Sequence, residues 1–336
     1  MRLFPKELEI ALDEGFTPEK DIFGRKAFGD RITSIITGIE APLVLLLDAP
    51  WGTGKSTFVK MWAGELRKAG IPSIYFDAFS NDYQKDAFIA VSSYVIGEIN
   101  KLTPDQPNLV KDFTDKAFKV AKVLGQAGFR IGVKAATAGL IEVEGFQKTA
   151  ADVVAAAGDE ANKAFDEALK ARLEGHESDR EAFVAFRESL RDLSVGLASS
   201  IATGTPQAGE RRPAPRLIFI IDELDRCKPS FALSLIENIK HFFSVYGVYF
   251  VLVASLKQLE SAVKYAYGDI EAMMYLEKFY NLRLQFPVGT NVTPDRRIST
   301  FATQLDCNGE IIDLLEQYDR TVRSISLRTL ERFLLT

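Results

Sequence analysis

The sequence predicts an α/β fold in which a mostly parallel five-stranded sheet is flanked by helices and interrupted by a large helical insertion. Short apolar runs of strand length alternate with stretches whose apolar residues recur every three or four positions. The run at residues 42–48 is continuously apolar up to its final aspartate, which is typical of a parallel strand covered on both faces. Between the second and third runs, a block rich in helix-forming residues contains no such run.

The elements follow from these patterns. Strands are predicted at residues 42–48, 72–79, 216–225, 247–255 and 281–288. Helices are predicted at residues 24–39, 56–70 and 233–247, where the apolar residues have helical spacing. Strands that alternate with helices indicate a parallel sheet with helices on both faces.

The predicted domain boundaries place the core at residues 1–84 and 214–336 and the helical insertion at residues 85–213. Residues 199–215 are rich in glycine, proline and serine, as expected of a linker that returns to the sheet. A chain of 336 residues is long enough for such a core.

Composition favours a cytoplasmic protein. A net charge of −5 gives no overall attraction to nucleic acid or anionic lipid. The two cysteines are accompanied by no zinc-site or disulfide pattern, which favours a reducing compartment. The N-terminus is too charged for a secretory signal, and no apolar run has the length of a membrane span.

The stretch "GTGKST" at residues 52–57, between a predicted strand and a predicted helix, is typical of a phosphate-binding loop. Gly52 and Gly54 would allow a tight turn that directs backbone N–H groups at phosphate oxygens. Lys55 would contact the β- and γ-phosphates, Ser56 would bind Mg²⁺, and Thr57 would lie near the α-phosphate. The loop residues Trp51 and Thr53 complete the predicted nucleotide contacts.

Ala49 departs from the full pattern, which has glycine at this position. Alanine is acceptable there if its φ is negative and costly if its φ is positive. The alternative interpretation of the stretch is an ordinary strand–helix turn that happens to contain a lysine.

Two carboxylates follow the third predicted strand. Asp222 is expected to hold the Mg²⁺ shell, and Glu223 to act as general base toward the attacking water, because ligands bind at the carboxyl edge of such sheets. A solvated acidic turn is the alternative. Lys55, Asp222 and Glu223 are therefore the predicted catalytic residues. The cofactors are predicted to be ATP and Mg²⁺, since no Asn-Lys-x-Asp stretch for guanine occurs.

On these motifs the sequence resembles the KAP family of P-loop NTPases, related to the AAA+ and STAND ATPases. The similar stretches are "APWGTGKST", "IIDELDRCKPSFALSLIENIKHFF" and "YLEKFYNLRLQFP", within residues 20–80 and 210–335. The resemblance implies a RecA/AAA-like core that acts as a nucleotide-dependent switch or assembly ATPase. Its similarity to phage-exclusion members suggests antiviral defence as the setting.

The resemblance also implies further nucleotide contacts. Phe23 and Arg25 belong to a segment, residues 21–32, that is similar to the adenine-side segment of AAA+ and STAND proteins; a capping loop is the alternative. Arg328, in residues 326–333, resembles a sensor-2 arginine. Because the sequence stops soon after this stretch, the C-terminal lid is expected to be minimal or truncated.

Lys278 and Arg283 lie roughly where AAA+ proteins place an arginine finger that acts on a neighbouring subunit. The alternative for each is a solvated cation at a strand edge. Ser255 stands where the family often has a sensor aspartate, and it would be a weak substitute for that residue at the γ-phosphate. Asp225 and Arg226 are expected to position the following helix or, alternatively, to contact a neighbouring subunit.

Residues 116–140 form a basic amphipathic segment without acidic residues. It is expected to pack on its own domain, with a membrane surface or a nucleic-acid backbone as alternatives. The expected partners are a second copy of the chain or an effector protein, and peripheral membrane contact would occur without a transmembrane span.

The leading functional hypothesis is therefore an ATP-hydrolysing regulatory switch of the KAP type. One alternative is a binding module that nucleotide stabilises without appreciable hydrolysis. The other is an ATPase that nucleic acid stimulates.

Overall fold

The computed structural model describes residues 9–138, 158–201 and 216–287. These residues form two compact units. The first comprises residues 9–105, 191–201 and 216–287, and the second comprises residues 106–138 and 158–190.

The first unit contains the predicted parallel sheet, and the α/β fold is confirmed. Its strands are β1 (Leu43–Asp48), β2 (Ser73–Asp77), β3 (Leu217–Asp222), β4 (Val248–Ala254) and β5 (Leu282–Gln285). They lie in the order β2-β3-β4-β1-β5, and every neighbouring pair is parallel. All residues of β3 and β4 are buried, which accounts for their continuous apolar sequences, whereas the edge strand β5 is partly exposed throughout.

Strand register aligns the carboxyl ends of the strands at one edge of the sheet. Asp48 pairs with Ala254, and Asp77 pairs with Asp222. The segments that follow β1, β3 and β4 therefore emerge side by side, although they are far apart in sequence. This edge is where ligands bind in open α/β sheets.

Helices pack on the sheet of the first unit, and the described residues of the second unit are almost entirely helical. In chain order they are α1 (Lys26–Gly38), α2 (Lys55–Lys68), α3 (Ala78–Asn81), α4 (Ala87–Leu102), α5 (Pro107–Ala138), α6 (Gly158–Ile201), α7 (Pro229–Asn238), α8 (Leu256–Tyr267) and α9 (Ala272–Leu276). A 3₁₀ turn, Leu224–Arg226, follows β3, and a π-helical turn, Ile239–Phe243, follows α7. Helix α7 begins at Pro229, earlier than its apolar periodicity predicts, because proline suits the first helical turn.

The block between β2 and β3 is helical where the structure describes it. Helix α4, at the start of this block, belongs to the first unit, where Tyr94 packs on Phe76 of β2 with ring centroids 5.1 Å apart. In the second unit, Phe113 of α5 packs on Phe186 of α6 at 5.4 Å. Within the described part of the chain, no helix is both long and apolar enough to cross a membrane.

Gly64 of α2 allows the backbone of Glu14 and Gly15 to lie directly on that helix. A Cβ at Gly64 would lie 2.5 Å from the backbone nitrogen of Gly15, which is too close for any real contact. Gly97 of α4 is also helical, but a Cβ there meets nothing within 4 Å.

We expect opposite effects from alanine at these two glycines. Gly97→Ala should raise the free energy of unfolding by about 0.5–1 kcal/mol, because alanine favours the helix and restricts the unfolded chain. Gly64→Ala should lower it by about 1–3 kcal/mol, since the backbone of Gly15 must move. Urea unfolding followed by circular dichroism measures both, and a stabilised Gly64→Ala variant would contradict the described packing.

Candidate functional site

The loop between β1 and α2 turns tightly at its two glycines. Gly52 and Gly54 have φ angles of 75° and 79°, in the left-handed region that favours glycine. Ala49 is buried and has no positive φ, so alanine is compatible with its position in the loop. The Thr53 hydroxyl donates to the Pro50 carbonyl (2.9 Å), which closes the turn from within.

Lys55 begins α2 directly after the turn and carries a buried positive charge. Its ammonium lies 3.0 Å from Asp225 Oδ2 and 3.5 Å from the Ala49 carbonyl oxygen. The N-cap residue Gly54 offers no side chain to the N–H groups of the first turn. The positive end of the helix and the ammonium together favour an anion at this position.

Asp222 ends β3 with no solvent exposure. Its Oδ1 accepts a hydrogen bond from the Glu223 backbone N–H (2.8 Å), and its Oδ2 accepts one from the Tyr75 hydroxyl (3.0 Å). Burial raises the pKa of Asp222 to about 6, although the Ser56 hydroxyl and these two donors act to lower it. Burial also raises the pKa of Tyr75, which therefore remains a neutral donor.

Glu223 has a strained backbone. Its φ of 60° is the one positive value among the non-glycine residues that the structure describes. One carboxylate oxygen accepts a hydrogen bond from the Ser56 hydroxyl (2.7 Å), and the other forms an ion pair with Nε of Arg226. This conformation directs the glutamate at the first turn of α2.

The oxygen atoms of Ser56, Asp222 and Glu223 suit a hard cation such as Mg²⁺. No group of three or more acidic, histidine or cysteine side chains within residues 9–138, 158–201 and 216–287 could hold a metal ion by itself. Magnesium in nucleotide sites is held by one or two protein groups, together with water and phosphate oxygens. The donor set therefore fits a nucleotide-bound magnesium ion.

Asp225 is a site residue that the sequence reasoning missed. Its Oδ2 accepts from the ammonium of Lys55 (3.0 Å), the indole N–H of Trp51 (2.5 Å) and the backbone N–H of Ser255 (2.9 Å). No spacing in the sequence marks this role, because Asp225 lies in the 3₁₀ turn after β3 and its donors come from segments that only the folded sheet brings together.

Ser255 contributes to the site through its backbone, because its N–H group donates to Asp225. Beside it, Asp48 accepts from the Leu256 N–H (2.9 Å) and from the Arg283 guanidinium (2.6 Å). Arg283 is thus paired within its own chain. A cavity of about 400 Å³ adjoins the loop here, and its lining includes Asp48, Trp51, Ser255, Arg283 and Phe286.

Arg25 lies against the phosphate-binding loop, and Phe23 lies beside Arg25. The Arg25 guanidinium packs between the rings of Phe23 and Phe286, 4.8 Å and 4.4 Å from their centroids. It also donates to the Thr53 carbonyl (2.9 Å). Arg25 therefore stabilises the loop through its backbone. Contact of Arg25 or Phe23 with the nucleotide base stays a prediction.

The structure does not bring every predicted residue together. Lys278 precedes the amino end of β5, whereas the loop follows the carboxyl end of the neighbouring β1. Its ammonium lies over the Tyr275 ring, 5.5 Å from the centroid. Thr57 is partly buried in the first turn of α2, and Arg328 lies outside the described residues.

Comparison with known proteins agrees with this geometry. A model of the KAP family P-loop domain matches residues 25–335, which include the loop, the acidic strand end and the whole sheet. A search of curated proteins finds no match.

The buried carboxyl of Asp222 predicts a pH-dependent stability. Because its pKa rises from 3.8 in the unfolded chain to about 6, the folded protein binds the extra proton between these values. The free energy of unfolding therefore falls as pH rises through this window. Asp222→Asn removes the cost of burying the ionised carboxylate. It should raise the free energy of unfolding by up to about 3 kcal/mol at about pH 8, and by much less at about pH 4.5, where Asp222 is mostly protonated in the folded protein.

Urea unfolding in a metal-free buffer at both pH values measures this difference. Asp269→Asn, which removes an exposed carboxyl elsewhere, controls for net charge. An Asp222→Asn effect that is equal at the two pH values would show that burial of this carboxylate is not costly.

Proposed function

The chain belongs to the KAP family of P-loop domains, and from this premise we propose that it is a magnesium-dependent ATPase acting as a regulatory switch or assembly ATPase. Membership of this family makes it a nucleotide-binding NTPase domain. The observation that carries the finer proposal is the convergence of two separate segments. The buried Lys55 at the start of α2 meets the acidic end of β3.

The proposed phosphate contacts come from the loop and the first turn of α2. The backbone N–H groups of residues 52–57 and the Lys55 ammonium would bind the phosphate oxygens. Arg25 and Thr53 keep the loop in shape through the hydrogen bond that joins them. Trp51, exposed at the loop surface, is available for contact with the rest of the nucleotide.

The Ser56 hydroxyl and the Asp222 carboxylate would hold the magnesium ion, which neutralises charge on the phosphate oxygens when it is bound. A nearby cation would also favour the ionised form of Asp222, which burial alone disfavours. Tyr75 keeps this carboxylate oriented by donating to its Oδ2.

Glu223 is the proposed general base. The water oxygen forms a bond to the terminal phosphorus as the bond to the bridging oxygen breaks, so ADP and phosphate leave, and Glu223 accepts the proton of the water. Its carboxylate currently contacts Ser56 and Arg226, so these contacts must loosen before it can receive the proton.

A binding module with negligible hydrolysis is a second candidate. It is favoured by the engagement of Lys55 with Asp225 and of Glu223 with Ser56 and Arg226, which restrains both central groups. Stimulation by nucleic acid, association with a second copy, an effector or a membrane surface, a cytoplasmic location and a role in antiviral defence remain predictions from the sequence.

Two substitutions test the proposed ATPase. Lys55→Ala should weaken ATP binding at least about tenfold, because a charge-assisted contact to phosphate is lost. Glu223→Gln should bind ATP normally but hydrolyse it about 10²–10⁴-fold more slowly. Titration calorimetry measures the binding, and phosphate release measures the turnover.

The matched controls are Lys68→Ala, near the far end of α2, and Glu277→Gln, both exposed. They should leave binding and turnover unchanged. Equal phosphate release by wild type and Glu223→Gln would refute the general-base assignment. Bound ATP that stays intact for hours with magnesium present would favour the binding module instead.

A further inference from the structure

We propose that Asp225 is an internal anion that competes with nucleotide phosphate for Lys55, and so sets the nucleotide affinity of the site. This inference rests on the proposed nucleotide-binding function. It assigns to Asp225 a role in determining affinity, distinct from the metal-binding and catalytic roles of Asp222 and Glu223.

The contacts of Asp225 resemble those of a bound anion. One oxygen, Oδ2, accepts three donors from two separate segments: Trp51 and Lys55, in the loop and at the start of α2, and Ser255 after β4. The side chain is 0% exposed. Such convergence of N–H groups and an ammonium on one oxygen is the arrangement by which proteins bind carboxylates and phosphates.

The second oxygen, Oδ1, is buried and has no hydrogen-bond partner among the described residues. A buried carboxylate with one unsatisfied oxygen is costly. Asp225 is therefore held mainly by its attraction to Lys55 and by the two N–H groups on Oδ2. Its carboxylate loses its principal counter-charge when that ammonium binds another anion.

A phosphate that reaches Lys55 must come close to Asp225. The ammonium is 3.0 Å from Oδ2, so an oxygen bonded to the same ammonium lies within a few ångströms of a negative charge. Like charges at that distance repel strongly in a site with little water. Either the carboxylate moves away or the phosphate binds weakly, and both outcomes lower the affinity.

Displacement of Asp225 would also move Glu223, the proposed general base, because the two residues belong to the same short backbone segment. Asp225 lies in the short 3₁₀ turn, Leu224–Arg226, whose N-cap residue is the strained Glu223. Arg226, in the same turn, forms the ion pair with Glu223. A shift of this turn therefore changes the contacts that restrain the glutamate, and this links phosphate binding to release of the base.

Asp225→Asn tests the competition because it removes the charge and keeps the shape. We expect ADP with magnesium to bind the variant at least about tenfold more tightly than the wild type. Adenosine, which has no phosphate, should bind both proteins equally. Asp269→Asn makes the same change in net charge at an exposed position and should leave both affinities unchanged.

A second measurement uses the wild-type protein and needs no change at Asp225. Trp51 is 44% exposed and Trp62 is 1% exposed, so acrylamide should quench mainly Trp51. Because Trp51 donates to Asp225, saturation with ADP and magnesium should change the emission and quenching of Trp51. Trp51→Phe should remove this response.

The outcomes separate the two proposals. If wild type binds ADP but Asp225→Asn binds it equally or more weakly, Asp225 serves to position Lys55 and the competition is refuted. A Trp51 signal that nucleotide leaves unchanged would refute it as well. If only Asp225→Asn binds ADP, the competition is supported in its strongest form. If neither protein binds nucleotide, the proposed function fails together with this inference.

Discussion

The arrangement of the site depends on one buried positive charge and the acids that balance it. Lys55 lies at the start of α2, and its partner Asp225 follows β3, 170 positions later in the chain. The parallel sheet makes this pairing possible, because β1, β3 and β4 all end at the same edge. A buried ammonium without an acid would be strongly destabilising, so sheet topology and site electrostatics support each other.

The folded structure at this edge of the sheet is unfavourable for two neighbouring residues, Asp222 and Glu223. Asp222 has a raised pKa because no solvent reaches it, and Glu223 adopts a φ of 60°. Both features cost folding free energy, and both lie within one short segment at the sheet edge. Proteins commonly retain such local conflicts where ligands bind, since a bound cation or a moving backbone relieves them.

Much of the fold could be predicted because β1, β3 and β4 are almost entirely buried and so have nearly continuous apolar sequences. The loop was recognisable because Gly52 and Gly54 must adopt positive φ angles. The role of Asp225 was missed because its contacts join segments that only the folded sheet brings together. Lys278 lies before the amino end of β5, away from the loop of its own chain, and its action on a neighbouring subunit stays a prediction.

The central claim is that the lysine-bearing loop and the carboxylates at the end of β3 act on one nucleotide–magnesium unit, the loop on the phosphates and Asp222 on the ion. Titration calorimetry with ATP, with and without magnesium, on wild type and Asp222→Asn tests it most directly. Magnesium should tighten ATP binding by wild type about tenfold or more and should have little effect on the variant. An equal effect of magnesium on the two proteins would mean that Asp222 does not share the ion with the phosphates, and the account would be wrong.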